Sequence, residues 1–103
     1  MNGQLDPVIH PLNRFKICAV LNAYGATEKE VKQEMEFSSL AREVGLSPST
    51  LSKQLSALQE AEYVSRFREY GSTRGKDTVW VSLTASGRAA FHEHLAALRD
   101  IAG

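Results

Sequence analysis

"FSSLAREVGLSPSTLSKQLSALQEA", residues 37–61, carries two helical periodicities with almost nothing between them. Phe37, Leu40, Ala41 and Val44 recur at i, i+3, i+4 and i+7, the spacing of one apolar helix face, with Ser38 as N-cap and Gly45 as stop. Only Leu46 stands between that glycine and Ser47, which is placed to cap a second helix with Pro48 in its first position. Leu51, Leu55 and Leu58 then repeat at helical spacing, and the pattern runs to about Ala61. Two helices joined by so short a glycine-bearing turn form a helix-turn-helix. The polar side of the second helix is unusual. Ser47, Ser49, Thr50, Ser52, Lys53 and Gln54 replace the Glu/Lys mixture of an ordinary solvent face.

Outward from this core, "PLNRFKICAVLNAY" (residues 11–24) begins with a proline suited to a first helical turn and ends before Gly25. Its apolar residues Leu12, Phe15, Ile17, Cys18, Val20 and Leu21 cover more than one face, as expected of a helix buried between others. The polar stretch "ATEKEVKQEME" (residues 26–36) places Glu28 and Lys32 at i, i+4, and reads equally as a short exposed helix or a solvated connector. After the second helix, "YVSRFREY" (63–70) and "TVWVSL" (78–83) alternate residue types with period two, and "GSTRGKD" (71–77) joins them, so a β-hairpin is expected. Thr84 is placed to cap a last helix, "ASGRAAFHEHLAALRDIA" (85–102), with Phe91, Leu95, Leu98 and Ala102 in one stripe. No internal repeat or low-complexity segment interrupts this order.

Composition sets the remaining bounds. A chain of 103 residues with 43% hydrophobic content fits one domain over residues 1–103, small enough to gain from pairing with a second copy. Twelve basic and twelve acidic residues give zero net charge, so any case for a nucleic-acid partner must be local. The single cysteine, Cys18, excludes an internal disulfide and fits a reducing compartment. "MNGQLDPVIH" lacks the basic-then-apolar pattern of a signal peptide, and no apolar run approaches the roughly 20 residues of a membrane span. A soluble cytoplasmic protein without membrane attachment is expected.

The order helix, short helix, turn, helix, hairpin, helix is that of a winged helix-turn-helix. The residues resemble small bacterial and archaeal transcriptional regulators of the MarR/ArsR type, especially their compact single-domain branch. The resemblance spans nearly the whole chain, through "LDPVIHPLNRFKI", "SSLAREVGLSPSTLSKQLSALQEAEYV" and "VSLTASGRAAF". It implies an α+β, mainly α, winged helix-turn-helix fold. The helix-turn-helix would occupy about residues 38–61, a β-hairpin wing about 63–83, and a C-terminal dimerisation helix about 85–102. It also implies that the helix from Pro48 to Ala61 enters the DNA major groove. Two departures stand out: Glu62 occupies a position where most relatives have glycine, and the acidic stretch before Phe37 is longer than in compact members. Should Glu62 adopt a left-handed backbone, the cost is roughly 1 kcal/mol.

The unusual polar side then acquires a chemical use. If Leu51, Leu55 and Leu58 face the core, Ser49, Thr50 and Lys53 project oppositely near the helix N-terminus, with Gln54 on a flank. That end carries partial positive charge and unpaired N–H groups, which favour an approaching phosphate. Short hydroxyls allow close approach, Lys53 can reach guanine or phosphate, and Gln54 can pair with adenine. The plainer reading is that these serines and threonines only cap and solvate the helix. The wing supplies context: Arg66, Arg68, Arg74 and Lys76 face Glu69 alone between residues 66 and 76. Arg74 and Lys76 at its tip can reach the minor groove or backbone. A charged hairpin also guards against edge pairing, and Arg66 and Arg68, on one strand face, can serve as local ion-pair partners.

The candidate DNA-binding residues are therefore Ser47, Ser49, Thr50, Ser52, Lys53, Gln54, Arg66, Arg68, Arg74 and Lys76. Leu12, Phe91, Leu95, Leu98 and Ile101 are the candidate dimerisation residues, since the last helix extends past the hairpin with little chain left to cover it. A homodimer would set two such helices about 34 Å apart over a near-palindromic double-stranded DNA site. No catalytic set can be assembled, so no enzyme is expected. "GSTRGKD" fails as a phosphate loop because three residues, not four, separate its glycines and Asp77 follows the lysine. In "HEH", His92 and His94 are i, i+2 neighbours that face different ways, which disfavours a metal site in one chain. No cofactor is expected; the identity of any small-molecule effector is unknown, its pocket expected between helix 1, the last helix and a partner chain. The rival readings are a winged helix that binds protein instead of DNA, and a metal- or redox-responsive sensor using His92, His94 or Cys18.

Overall fold

In a computed structural model describing residues 4–25, 34–71 and 77–103, Leu51, Leu55 and Leu58 have no exposed surface. Everything else is arranged around them. Burying each leucine contributes about 2 kcal/mol, more than any single cap, so this stripe decides which side of its helix faces inward. The elements are α1 (Leu12–Tyr24), β1 (Met35–Glu36), α2 (Phe37–Val44), α3 (Pro48–Glu60), β2 (Val64–Glu69), β3 (Thr78–Leu83) and α4 (Ala85–Ala102). The strands form an antiparallel sheet in the order β1-β3-β2, with Arg66 opposite Val81 and Phe67 opposite Trp80. This is a winged helix of mainly helical composition, as expected from the order of motifs.

Each boundary follows from local chemistry. α1 starts at Leu12 with Pro11 just outside it, and Gly25 ends it in the left-handed conformation. Ile17, Cys18 and Leu21 are fully buried while Phe15, Ala19 and Val20 pack partly against the core, so α1 does sit between other elements. Gly45, at φ 71°, ends α2. The Ser47 side chain caps α3 by accepting from the Thr50 N–H at 3.3 Å, with Pro48 in the first turn. Thr84 caps α4, accepting from the Gly87 N–H at 2.9 Å.

Three expectations change. Ser38 does not cap α2; Glu36 holds the N-cap position and accepts the Ser38 hydroxyl at 3.0 Å, because α2 starts at Phe37. Met35 and Glu36 belong to neither a helix nor a connector but form β1, Met35 opposite Val81 and Glu36 opposite Trp80. Two residues are too few for periodicity to register, and the pairing comes from β3. The rest of that acidic stretch, including Glu28 and Lys32, lies outside the described residues. On α4 the buried stripe is Gly87, Phe91, His94 and Ala97, one position away from the leucine stripe beyond Phe91.

His94 enters the core because the N-terminal arm supplies its partner. The Asp6 N–H donates to His94 Nδ1 at 2.8 Å, which requires the neutral ring with its proton on Nε2. Tyr63 donates its hydroxyl to Asp6 Oδ2 at 2.6 Å, and Asp6 Oδ1 accepts from Val8 N–H at 2.8 Å, seating the fully buried Ile9. Burial holds the His94 pKa below its ordinary value, helped by the neighbouring His10 and opposed by Asp6. The Tyr63 hydroxyl is pushed up to about 12, chiefly by its bond to Asp6.

Candidate nucleic-acid interface

Opposite the buried leucines, Ser49, Lys53, Ser56 and Glu60 recur at i, i+4, i+7 and i+11 on α3 and are all exposed. The N-terminal half of this face is hydroxyls and one ammonium; Glu60 makes the far end repellent to phosphate. Lys53 makes no hydrogen bond or ion pair among the described residues. The hydroxyls divide into two groups. Ser47 donates to Thr50 Oγ1 at 2.9 Å while accepting the Thr50 amide, so this pair performs the capping role that the plainer reading assigned to it. Thr50 still keeps a hydroxyl proton to donate. Ser49 projects from the first turn with a 3.4 Å contact to Ser47, and Gln54 lies half-buried on the flank away from the wing.

The wing is tied down more than a row of cations suggests. Arg68 Nη1 meets Asp77 Oδ2 at 3.2 Å, and Asp77 Oδ1 accepts the Gly71 N–H at 3.0 Å, so one carboxylate closes both ends of the loop. Counting Asp77 lowers the local positive surplus. Arg66 donates to three side chains of α3: Gln59 Oε1 at 2.9 Å, Ser56 Oγ at 3.0 Å and Ser52 Oγ at 3.3 Å. Arg74 and Lys76 lie outside the described residues. Between α3, the start of α2 and the wing, a cleft of about 470 Å³ is lined by Phe37, Ser52, Arg66, Arg68 and Val79.

Ser49, Thr50, Ser52, Lys53, Arg66 and Arg68 are thus brought to one side of the molecule, with Ser47 beside them and Gln54 at the margin. Ser56 and Gln59 join them without having been singled out from the sequence. Ser56 carried a usable signal, lying seven residues after Ser49 on the same face; Gln59 carried none, because its partner is on β2.

The candidate dimerisation residues divide as well. Phe91 is 4% exposed and its ring lies 5.6 Å from that of Phe15, so it belongs to the core of the single chain. Leu95 and Leu98 are half-buried, whereas Leu12 and Ile101 are 68% and 69% exposed. Phe15 meets Phe91 and His94, and His10 meets His94, which packs the start of α1 against the middle of α4. Leu12 stands one turn before Phe15 on α1, and Leu95 and Leu98 one turn beyond Phe91 and His94, the α4 residues that Phe15 meets.

The groups considered for metal or redox chemistry are placed differently from one another. His92 is exposed, while His94 is buried with Nδ1 already engaged. Cys18 is fully buried and its thiol pKa is pushed up to about 12, by burial and then by Asp6, which suppresses the reactive thiolate. Among the described residues no group of three or more His, Cys, Asp or Glu side chains is placed to hold a metal ion, and no described helix is long and apolar enough to cross a membrane. A second cleft of about 470 Å³ lies at the end of α1, lined by Val20, Tyr24, Met35, Ser39 and Arg42 among others, away from the α1–α4 end.

Comparison with known proteins places this geometry. A family model described as a winged helix DNA-binding domain matches residues 14–102. Among solved structures, a MarR-family transcriptional regulator from Silicibacter pomeroyi is similar at 25% identity and TM-score 0.64, over 90% of this chain and 55% of that one. A transcriptional regulator homologue from Pyrococcus horikoshii OT3 superimposes with TM-score 0.69 at 14% identity, over 92% and 84% of the two chains. A zinc-responsive MarR-family member from Lactococcus lactis gives 0.58 at 23% identity, over 97% and 58%. The chain spans little more than half the length of the MarR-family structures it matches. No curated protein sequence matches it.

Proposed function

The chain belongs to the winged helix DNA-binding domain family, and from that premise we propose that it is a sequence-specific transcriptional regulator binding double-stranded DNA as a homodimer. One observation carries the reading: with Leu51, Leu55 and Leu58 buried, the N-terminal half of α3 offers hydroxyls and the Lys53 ammonium to solvent beside the β2–β3 hairpin. Helix N-termini favour phosphate, and short polar side chains allow the close approach that base contacts need. Leu12, Leu95, Leu98 and Ile101 form the surface for the second copy, and the resulting two-fold axis calls for a near-palindromic operator. Occupying such an operator blocks access to the DNA beneath it, so the mode of action proposed is repression, in the cytoplasm.

The test is selection from random duplex DNA by the purified protein, with its oligomeric state measured in parallel. Enrichment of a palindrome by a dimer is expected. A second reading, a winged helix that binds protein, draws on the zero net charge and on Phe67 and Tyr70, which stand exposed along the wing. The two readings differ in salt dependence: DNA affinity falls steeply as salt rises, by a slope of about 0.9 per phosphate contact, whereas a protein partner imposes no such law. No enrichment at any ionic strength would leave the protein-binding reading in place.

A further inference from the structure

We propose that Arg66 is a positioning residue that locks the wing to α3, so that the two meet DNA as one rigid surface, and that it does not itself contact phosphate. The proposal rests on the DNA-binding reading above. Along β2, Val64 is buried, Ser65 and Arg66 are half-buried, and Phe67, Arg68 and Glu69 are exposed. Arg66 is therefore the last half-buried residue of the strand, and Phe67, Arg68 and Glu69 beyond it are exposed. Its three acceptors, Ser52, Ser56 and Gln59, recur at i, i+4 and i+7 and form a stripe along the side of α3 facing the strand. The Ser56 hydroxyl donates to the Ser52 carbonyl at 3.0 Å, which turns its lone pairs towards the guanidinium.

A planar fork of five N–H donors suits this arrangement; a lysine ammonium, a single point of charge, cannot span acceptors that lie across two helical turns, about 10 Å of axis. Arg68, on the same strand face, bonds instead to Asp77 within the wing. Among the described side chains, the hydrogen bonds between wing and recognition helix thus fall to Arg66, beyond the apolar contact that Val64 makes at the root. Held by three side chains whose own positions are set by α3, the guanidinium transmits the orientation of the helix to the strand. Loosening it leaves the charge of the wing nearly intact but lets the exposed part of β2 shift relative to the bases that α3 reads, and the loss falls on discrimination.

The experiment compares wild type, Arg66→Ala, Arg66→Lys and the exposed-residue double variant Ser56→Ala/Gln59→Ala. It measures binding to the duplex selected by wild-type protein and to random-sequence duplex over a range of salt, with melting curves to confirm folding. The expected result is a loss of discrimination on the order of tenfold, the size of one lost base preference, in all three variants, with the salt slope unchanged in the double variant and in Arg66→Ala. A slope lower by about 0.9 in Arg66→Ala with discrimination intact would overturn the proposal in favour of a direct phosphate contact. So would full recovery by Arg66→Lys. If wild-type protein retains no duplex at all, the DNA-binding reading fails, and amide hydrogen exchange then decides the lock by itself. Faster exchange along β2 with α1 unchanged in the double variant supports it, and unchanged exchange along β2 overturns it.

Discussion

Glu62 ends α3 at φ 65°, the left-handed region that glycine enters freely and other residues enter at a cost. The surrounding bonds leave it no choice: the Tyr63 N–H returns to the Leu58 carbonyl at 2.9 Å and the Glu62 N–H to the Gln59 carbonyl at 2.9 Å, the pair that closes a helix with a left-handed residue. Its own carbonyl accepts from Thr84 Oγ1 at 2.7 Å and Ser86 Oγ at 3.0 Å, which anchors the start of α4. Replacing Glu62 by glycine should therefore raise stability by about 0.5–1 kcal/mol, and Glu62→Ala should leave it near wild type, both read from urea unfolding. Lys53 is the opposite kind of residue, exposed and unengaged among the described residues, so Lys53→Ala should leave the melting temperature unchanged. Its affinity for the selected duplex should fall by about 1–2 kcal/mol, near tenfold. Normal DNA binding by that variant would mean that α3 meets the duplex by another face.

The joint between α4 and the root of the wing depends on the absence of a side chain. A Cβ on Gly87 would stand 2.0 Å from the Tyr63 carbonyl oxygen, well inside contact distance and against backbone that cannot swing away. The first turn of α4 lies directly on the backbone leading into β2, where Thr84 N–H also bonds the Tyr63 carbonyl at 3.0 Å. Gly87→Ala gains helix propensity of just under about 1 kcal/mol, yet the clash dominates, and a net destabilisation of at least about 2 kcal/mol is expected from thermal or urea melts. A stability equal to wild type would show that α4 can slide on the wing root. The same joint explains why β2 and β3 form a wing with a firm base: Val64 and Leu83 pair at the root, both buried, while the sheet frees itself towards Glu69 and Thr78.

With a radius of gyration of 14.1 Å against about 13 Å for a compact chain of this length, the molecule is somewhat drawn out, and among the described residues Leu12 of α1 and Ile101 of α4 stand exposed. Leu12→Glu combined with Ile101→Glu should convert the proposed dimer to monomer, and with it weaken binding to the selected duplex, since one half-site then binds without its twin. Sedimentation or light scattering checks the first outcome; an unchanged dimer would move the interface elsewhere. The arm that carries Asp6 ties α1, α4 and the wing root together through His94 and Tyr63, and it makes the fold sensitive to acid. His94 has a folded-state pKa below its ordinary 6.5, so between those values the unfolded chain holds a proton that the folded chain does not. Stability from this group is present above 6.5 and is lost as pH falls into that window. His94→Gln should remove that part of the pH slope in urea titrations; an undiminished slope would place the acid sensitivity on another group.

Local chemistry was enough to reveal α1, α2, α3, the hairpin strands and α4, because apolar spacing, Pro11, Gly25, Gly45, Ser47 and Thr84 act within one or two helical turns of themselves. It also brought out the polar side of α3, since three leucines at helical spacing leave no other orientation once they are buried. The rest needed partners distant in the chain. Met35 and Glu36 are a strand only because β3 pairs with them, and His94 is a core residue only because Asp6 offers an amide 88 positions earlier. Arg66 and Arg68 look alike in sequence and differ in use, one bound to α3 and the other to Asp77. Periodicity reports which face of an element seeks burial; which polar group satisfies which other depends on distances that exist only after the elements have packed.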